Sequence, residues 1–296
     1  MKARTVDGIE LHYEEDGNGP ALLFIHEFAG DHRSWAPQVR HFSKAYRCIT
    51  YSARGYPPSD VPTDPTTYSQ ESAVGDAIAV LDAAGAGVAH VVGLSMGGFA
   101  ALHLVLRRAD RVRSAVVAGV GYGSQPEKVD QFRDESYLLA DAFESQGSAR
   151  VAASYAVGPA RVQLQSKNPA AWQQFADALA EHDSIGAALT MRGVQAARPS
   201  LYDLQNELRA VRTPILILAG DEDEGSLEPS LMLKRVISTS GLAILPRTGH
   251  TANLEDPHAF NDAVAQFLQA VDKGEWRERD PRAVSGSIMG VTHPTR

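Results

Sequence analysis

Residues 90–108, HVVGLSMGGFAALHLVLRR, decide how this chain is interpreted. Residues 90–94 form an apolar run with the length of a buried strand, and apolar side chains recur at helical spacing after Ser95. Between the two lies Gly93-Leu94-Ser95-Met96-Gly97, a G-x-S-x-G pattern in which a sharp strand-to-helix turn carries a serine and small neighbours leave room for the tight backbone. This context predicts a serine exposed at the carboxyl edge of a sheet, beside the positive end of a helix. The simpler alternative is an ordinary helix-capping serine.

A serine hydroxyl becomes a good nucleophile only when a base takes its proton and an acid orients that base. Behind a turn of this kind the acid and the histidine follow the serine in that order. Residues 215–224, ILILAGDEDE, end an apolar run with four acidic side chains, and His250 follows the next apolar run. We therefore predict Ser95 as nucleophile and His250 as base, with the acid drawn from residues 221–224. A loop histidine without a role and a solvated acidic loop are the alternatives.

The rest of the chain predicts an α/β fold with a mostly parallel, doubly wound sheet. Short apolar runs such as ALLFI (21–25), CITY (48–51) and LAIL (242–245) alternate with helical patterns, and continuous runs of this length are typical of strands buried on both faces. Residues 124–209 carry helical patterns and no convincing strand, which indicates a helical cap inserted into a core of residues 1–123 and 210–276. The tail, residues 277–296, is polar, and we expect it to be extended or poorly ordered unless it docks.

Charge and composition exclude several classes of partner. The chain has 28 Lys and Arg against 36 Asp and Glu, a net charge of −8, and this acidic balance disfavours nucleic acid and anionic membrane surfaces. No signal peptide or membrane-spanning run is recognisable, and the single cysteine, Cys48, lies in an apolar run as a core residue would. We expect a cytoplasmic globular protein, and a homo-oligomer is compatible with the sequence.

Neither a metal nor a cofactor is expected. His26-Glu27 begins like the zinc-protease signature, but that signature needs a second histidine four positions after the first, and position 30 is glycine. The sequence has no glycine-rich phosphate loop and no Cys/His cluster of ligand spacing.

Together with the motifs described next, the serine turn and its expected partners make the chain resemble the α/β-hydrolase superfamily over roughly residues 20–272. Residues 26–30, HEFAG, resemble its His-Gly-Phe-x-Gly oxyanion loop, and residues 52–57, SARGYP, resemble its Asp-x-Arg-Gly-x-Gly turn with Ser and Pro substituted. Residues 220–223, GDED, match its Gly-Asp-x-Asp element, whose second Asp is usually catalytic. The resemblance implies an α/β-hydrolase fold with a helical cap after strand 6, Asp223 rather than Asp221 as the acid, and an oxyanion hole formed by the backbone N–H groups of Phe28 and Met96.

The activity that the resemblance implies is hydrolysis of a small carboxylic ester or lactone through an acyl-enzyme on Ser95. Carbon–carbon bond or amide hydrolysis on the same triad stays open, as does a slow-turnover ligand-binding or receptor-like protein. Serine at the turn argues against the epoxide-hydrolase and dehalogenase branches, which resemble this fold but use Asp there.

Four further side chains are candidates for lining the substrate site: His26, Glu27, Arg192 and Arg198. The two arginines close the cap segment, where they could receive a substrate carboxylate or, alternatively, form ion pairs on the cap surface. For His26 the alternative is a structural hydrogen bond to loop backbone. Glu27 stands where relatives usually carry Gly. It either faces the pocket or turns away and accepts hydrogen bonds from loop backbone or from a basic neighbour such as Arg33 or Arg54.

Overall fold

Eight strands form one mixed sheet in the computed structural model, which describes residues 1–284. The strands are β1 (Lys2–Arg4), β2 (Glu10–Asp16), β3 (Ala21–Ile25), β4 (Arg47–Tyr51), β5 (Ala89–Leu94), β6 (Val112–Ala118), β7 (Ile215–Gly220) and β8 (Ser240–Leu245). Their order is β1-β2-β4-β3-β5-β6-β7-β8. The β1–β2 and β2–β4 pairs are antiparallel and all other pairs are parallel. The predicted fold class is confirmed.

The central strands are largely apolar because helices cover both faces of the sheet. Successive side chains of a strand point to opposite faces, so Leu22 and Phe24 of β3 join one core while Leu23 and Ile25 join the other. The first core is closed by α1 (Ala36–Phe42), α11 (Ala252–Glu255) and α12 (Pro257–Asp272). The second is closed by α2 (Gln70–Ala83), α3 (Met96–Arg107) and α10 (Glu224–Val236).

The chain between β6 and β7 is helical, as predicted. It contains α4 (Val129–Gln146), α5 (Ser148–Tyr155), α6 (Val162–Lys167), α7 (Pro169–Ala180), α8 (Ser184–Thr190) and α9 (Gln205–Arg209), and these described residues include no strand. A third apolar cluster joins Phe143 and Leu179 of this insertion to Phe28 and Met96. The insertion therefore packs over the carboxyl ends of the strands. The division into a core of 1–123 and 210–276 and a cap of 124–209 stays a prediction.

The first part of the tail docks on the core. The Arg279 backbone N–H donates to the carbonyl of Ser238 at 2.9 Å, and its Nη1 donates to that of Lys234 at 2.8 Å. The rest of the predicted tail, from residue 285 on, lies outside the described residues. Of the helices in residues 1–284, none combines the length and apolarity that crossing a membrane requires.

Candidate active site

Ser95 occupies a strained turn between β5 and α3. Its φ of 53° and ψ of −114° are rarely adopted by a residue with a side chain, a conformation that costs on the order of 1–3 kcal/mol. The turn needs glycine on both flanks. A Cβ on Gly93 would lie 2.0 Å from the carbonyl oxygen of Gly97, and a Cβ on Gly97 would lie 2.0 Å from that of Ile25. The Ser95 side chain makes no hydrogen bond to the first turn of α3, which argues against the helix-capping alternative.

His250 and Asp223 form a hydrogen-bonded pair at the ends of β8 and β7. His250 Nδ1 lies 2.9 Å from Asp223 Oδ2, and that oxygen also accepts from the Ser226 hydroxyl at 2.6 Å. Asp221 instead accepts from the backbone N–H of Thr248 at 3.1 Å. The pairing therefore favours Asp223 over Asp221 as the orienting acid. Ser226, three residues beyond Asp223, was not singled out from the sequence.

The pairing stabilises the charged forms of both side chains, which lowers the pKa of Asp223 and raises that of His250. Burial lowers the pKa of His250, but the charge and hydrogen bond of Asp223 outweigh it, so the net pKa is raised above 6.5. Burial likewise raises the pKa of Asp223, and the opposing charge and hydrogen bond of His250 lower it below its usual value. The pairing thus favours an ionised Asp223 and strengthens the affinity of His250 for a proton.

Ser95, Asp223 and His250 line one cavity of about 490 Å³. Its other walls come from the helical insertion, chiefly α4, the turn before α6 and the segment after α8. A larger cavity of about 630 Å³ lies against α2 and α3 and contains none of the predicted catalytic side chains. The smaller cavity is the candidate active site because Ser95 and the histidine–carboxylate pair meet there.

The two expected oxyanion donors lie next to this cavity. Phe28 lines it, and Met96 directly follows Ser95 at the start of α3. Within residues 1–284, neither backbone N–H donates to a backbone carbonyl. Both donors are therefore free for a ligand, although their role as the oxyanion hole stays a prediction.

His26 is a structural residue, so its candidacy for lining the substrate site is wrong. Its ring is buried and does not contact the cavity. Nδ1 lies 2.6 Å from the carbonyl oxygen of Glu27, and Nε2 accepts from the backbone N–H of Ala53 at 3.0 Å. These two bonds fix the loop that carries Phe28 against the end of β4, and burial lowers the pKa of His26, which keeps the ring neutral.

Glu27 also fails to line the cavity, because it is paired with Arg161 of the insertion. Arg161 Nη1 and Nη2 donate to the two carboxylate oxygens at 3.0 and 2.6 Å, and the side chains are only 1% and 4% exposed. The guanidinium also lies over the Phe175 ring, 4.6 Å from its centroid. The partner stands 134 residues away in the chain, so no local sequence signal could identify it. The bidentate pair neutralises the carboxylate beside the expected oxyanion hole.

The partners expected for Glu27 are occupied elsewhere. Arg33 Nη2 lies 2.7 Å from Asp31, and Arg54 Nη2 lies 2.6 Å from the buried carboxylate of Asp76. Arg54 thus ties down the turn after β4. Turning away from the pocket was the correct alternative for Glu27, but the named partners were wrong.

The two cap arginines differ in position. Arg192 is an ion-paired surface residue, 2.6 Å from Asp141 and 2.8 Å from Glu144, and it does not line the cavity. Its candidacy as a substrate residue is therefore wrong. Arg198 does line the cavity, where its guanidinium lies between two aromatic rings, 3.9 Å from the centroid of Phe99 and 4.3 Å from that of Phe132.

Arg198 brings positive charge to the cavity. Its polar contacts are with the side-chain oxygen of Gln195 and the carbonyl of Tyr122, and no carboxylate of residues 1–284 forms an ion pair with it. Burial lowers the pKa of Arg198, which still remains above neutral pH, so the group stays cationic.

The sheet topology and the serine turn define an α/β-hydrolase architecture, and comparison with known proteins agrees. A family model described as alpha/beta hydrolase fold matches residues 20–257, so the chain belongs to the α/β-hydrolase family and is a hydrolase. It is 28% identical over 255 residues to 3-oxoadipate enol-lactonase 1 of Acinetobacter baylyi, covering 86% of this chain and 90% of that protein. It is 30% identical over 281 residues to a putative carbamate hydrolase RutD of Caulobacter sp., covering 90% and 98%. The crystal structure of the enol-lactonase from Burkholderia xenovorans LB400 matches with a TM-score of 0.78 at 25% identity, covering 91% of this chain and 100% of that one.

Proposed function

We propose that this protein hydrolyses small carboxylic esters or lactones through a covalent acyl-enzyme on Ser95. The observation that carries the proposal is the placement of Ser95 in one cavity with the hydrogen-bonded pair of His250 and Asp223. Similarity to proteins named as enol-lactonases supports an ester or lactone as the substrate.

In the proposed mechanism, His250 accepts the Ser95 proton as Oγ attacks the carbonyl carbon. The developing oxyanion is bound by the backbone N–H groups of Phe28 and Met96, and loss of one such donor typically costs 10²–10³ in kcat. His250 then donates the proton to the alcohol leaving group. In the second half it accepts a proton from the water that attacks the acyl-enzyme, and it returns this proton to Ser95 Oγ as the acid is released. Asp223 holds the imidazole in place and stabilises its cationic form.

We further infer that the preferred substrates carry a carboxylate, bound by Arg198. A guanidinium matches the geometry of a carboxylate, and this one has no acidic partner within the described chain. Besides Asp223, three acidic side chains line the same cavity. Glu135 and Glu222 accept hydrogen bonds from Tyr122 and Gln163, and Glu224 is the third.

The test is turnover of a panel of esters, lactones and amides by the wild-type enzyme and two serine variants. Ser95→Ala should lower kcat roughly a million-fold, as expected for a nucleophile of a triad. Ser136→Ala is the matched control, because Ser136 lines the same cavity but donates to the carbonyl of Phe132. The proposal fails if Ser95→Ala retains activity. A wild-type protein that binds members of the panel without cleaving any of them would favour the ligand-binding alternative, and preferential amide cleavage would favour an amidase.

A further inference from the structure

A cluster of two histidines and one glutamate lies outside the cavity. His12 and Glu14 stand two residues apart on β2, so their side chains project from the same face of the strand. His32 comes from the short helical turn that follows the loop carrying Phe28. The chain thus brings three metal-ligand side chains together from two segments that are separate in sequence.

The spacing of the three ligand atoms approaches that of a metal site. His12 Nε2 and His32 Nε2 lie 3.2 and 3.6 Å from the same oxygen, Glu14 Oε1, and all three atoms lie within 4.8 Å of one another. A tetrahedral ion with bonds of about 2.0 Å separates its ligands by about 3.3 Å. Two of the three separations are therefore already close to the required value. The third, between the two imidazole nitrogens, can close by a small rotation of the His12 ring, which is 24% exposed.

A neighbouring hydroxyl orients one of the histidines. His32 Nδ1 lies 2.9 Å from the hydroxyl of Ser52, the residue that replaces the Asp of the family turn. With the proton on Nδ1 donated to Ser52, the lone pair of Nε2 faces Glu14. Metal-binding histidines commonly have such a partner for the second ring nitrogen, which fixes the tautomer and the ring orientation. The His32 side chain is only 12% exposed, so packing holds it in this position.

We propose that His12, Glu14 and His32 bind one divalent transition-metal ion, for which Zn²⁺ is the suitable probe. Imidazole and carboxylate ligands suit this ion, and three protein ligands leave a coordination position for water. The bound ion would tie β2 to the loop that carries Phe28. None of the site's residues lines the candidate active-site cavity, so the ion would take no part in the chemistry proposed for Ser95. The site departs from the sequence expectation that no metal is bound, because that expectation considered only ligands close together in the chain.

Isothermal titration of Zn²⁺ into the full-length, tag-free, chelator-treated protein tests the proposal. We expect one saturable site whose affinity falls at least about tenfold in Glu14→Gln and in His32→Ala, and about 10–100-fold in Ser52→Ala. His258→Ala is the control, because this exposed histidine lies on α12, outside the cluster. At the same concentration, Zn²⁺ should also raise the Tm of the wild type more than that of Glu14→Gln.

The absence of saturable Zn²⁺ binding by the wild type would overturn the proposal. So would wild-type affinity in Glu14→Gln or a loss of binding confined to His258→Ala. If His32→Ala does not fold, the affinity of Glu14→Gln alone tests the proposal. The Glu14 side chain is mostly exposed, so we expect this variant to fold.

Discussion

Replacing Arg161 with methionine should destabilise the protein strongly, because it leaves the Glu27 carboxylate buried without a partner. The substitution removes two charge-assisted hydrogen bonds of 3.0 and 2.6 Å from a carboxylate that is 4% exposed. Removing one member of a buried ion pair typically costs about 3–5 kcal/mol. With a urea m-value of about 3 kcal/mol/M, the unfolding midpoint should fall by about 1 M or more.

The double-mutant cycle of Glu27→Gln and Arg161→Met separates the pair from simple loss of packing. We expect the second substitution to cost much less in the presence of the first, with a coupling free energy of about 2–3 kcal/mol. Arg192→Gln is the matched control. It breaks an Arg–carboxylate contact in the same insertion, but the partly exposed Arg192 faces largely exposed carboxylates, so the change should stay within about 1 kcal/mol.

Equilibrium urea unfolding followed by circular dichroism measures all four proteins of the cycle, and unchanged m-values validate the comparison. Strict additivity of the two single substitutions, or an Arg161→Met midpoint equal to that of the wild type, would refute the argument that the pair fastens the insertion to the loop carrying Phe28.

Three further predictions concern the chemistry. Asp223→Asn should lower kcat by about 10⁴ while Asp221→Asn, whose carboxylate is bonded to backbone, has a small effect; steady-state kinetics showing the reverse would move the acid to Asp221. The wild-type kcat/KM should be low in acid and rise with pH through a midpoint above 6.5, because His250 must be neutral to accept a proton and its pKa is raised. In Asp223→Asn the midpoint of the residual activity should lie at a lower pH than in the wild type. A pH–rate profile with an unchanged midpoint would contradict this. Arg198→Gln should raise KM for acidic esters at least tenfold and hardly affect neutral esters, whereas Arg192→Gln should affect neither; equal losses on both substrate types in Arg198→Gln would exclude a carboxylate site.

The fold was predictable because its signals are local. The short runs of β3, β5 and β7 are buried along their whole length, and the turn at Ser95 requires glycine at fixed neighbouring positions. The order of serine, acid and histidine follows from the same topology, since parallel strands deliver these residues to one edge of the sheet. The pairing of His250 with Asp223 agrees with that expectation.

Long-range partners were not predictable in the same way. The pairing of Glu27 with Arg161 depends on how the insertion packs on the core, which no spacing along the chain encodes. Arg192 and Arg198 looked equivalent in sequence, but residues 191–195 form a π-helical turn, which changes the angular spacing of side chains relative to an α-helix. The predictions of a cytoplasmic location and of no nucleic-acid or membrane partner rest on composition and stay predictions.

Mass spectrometry of the protein quenched during turnover of an activated ester such as p-nitrophenyl acetate tests the central claim most directly. We predict that one acetyl group is attached to the tryptic peptide containing Ser95. In His250→Ala, acylation continues at a residual rate while release of the acetyl group is slowed, so the acetylated intermediate should accumulate. The adduct should be absent in Ser95→Ala. Continued turnover by Ser95→Ala, or acetylation of a different residue with kinetics that match turnover, would contradict the assignment of Ser95 as the nucleophile.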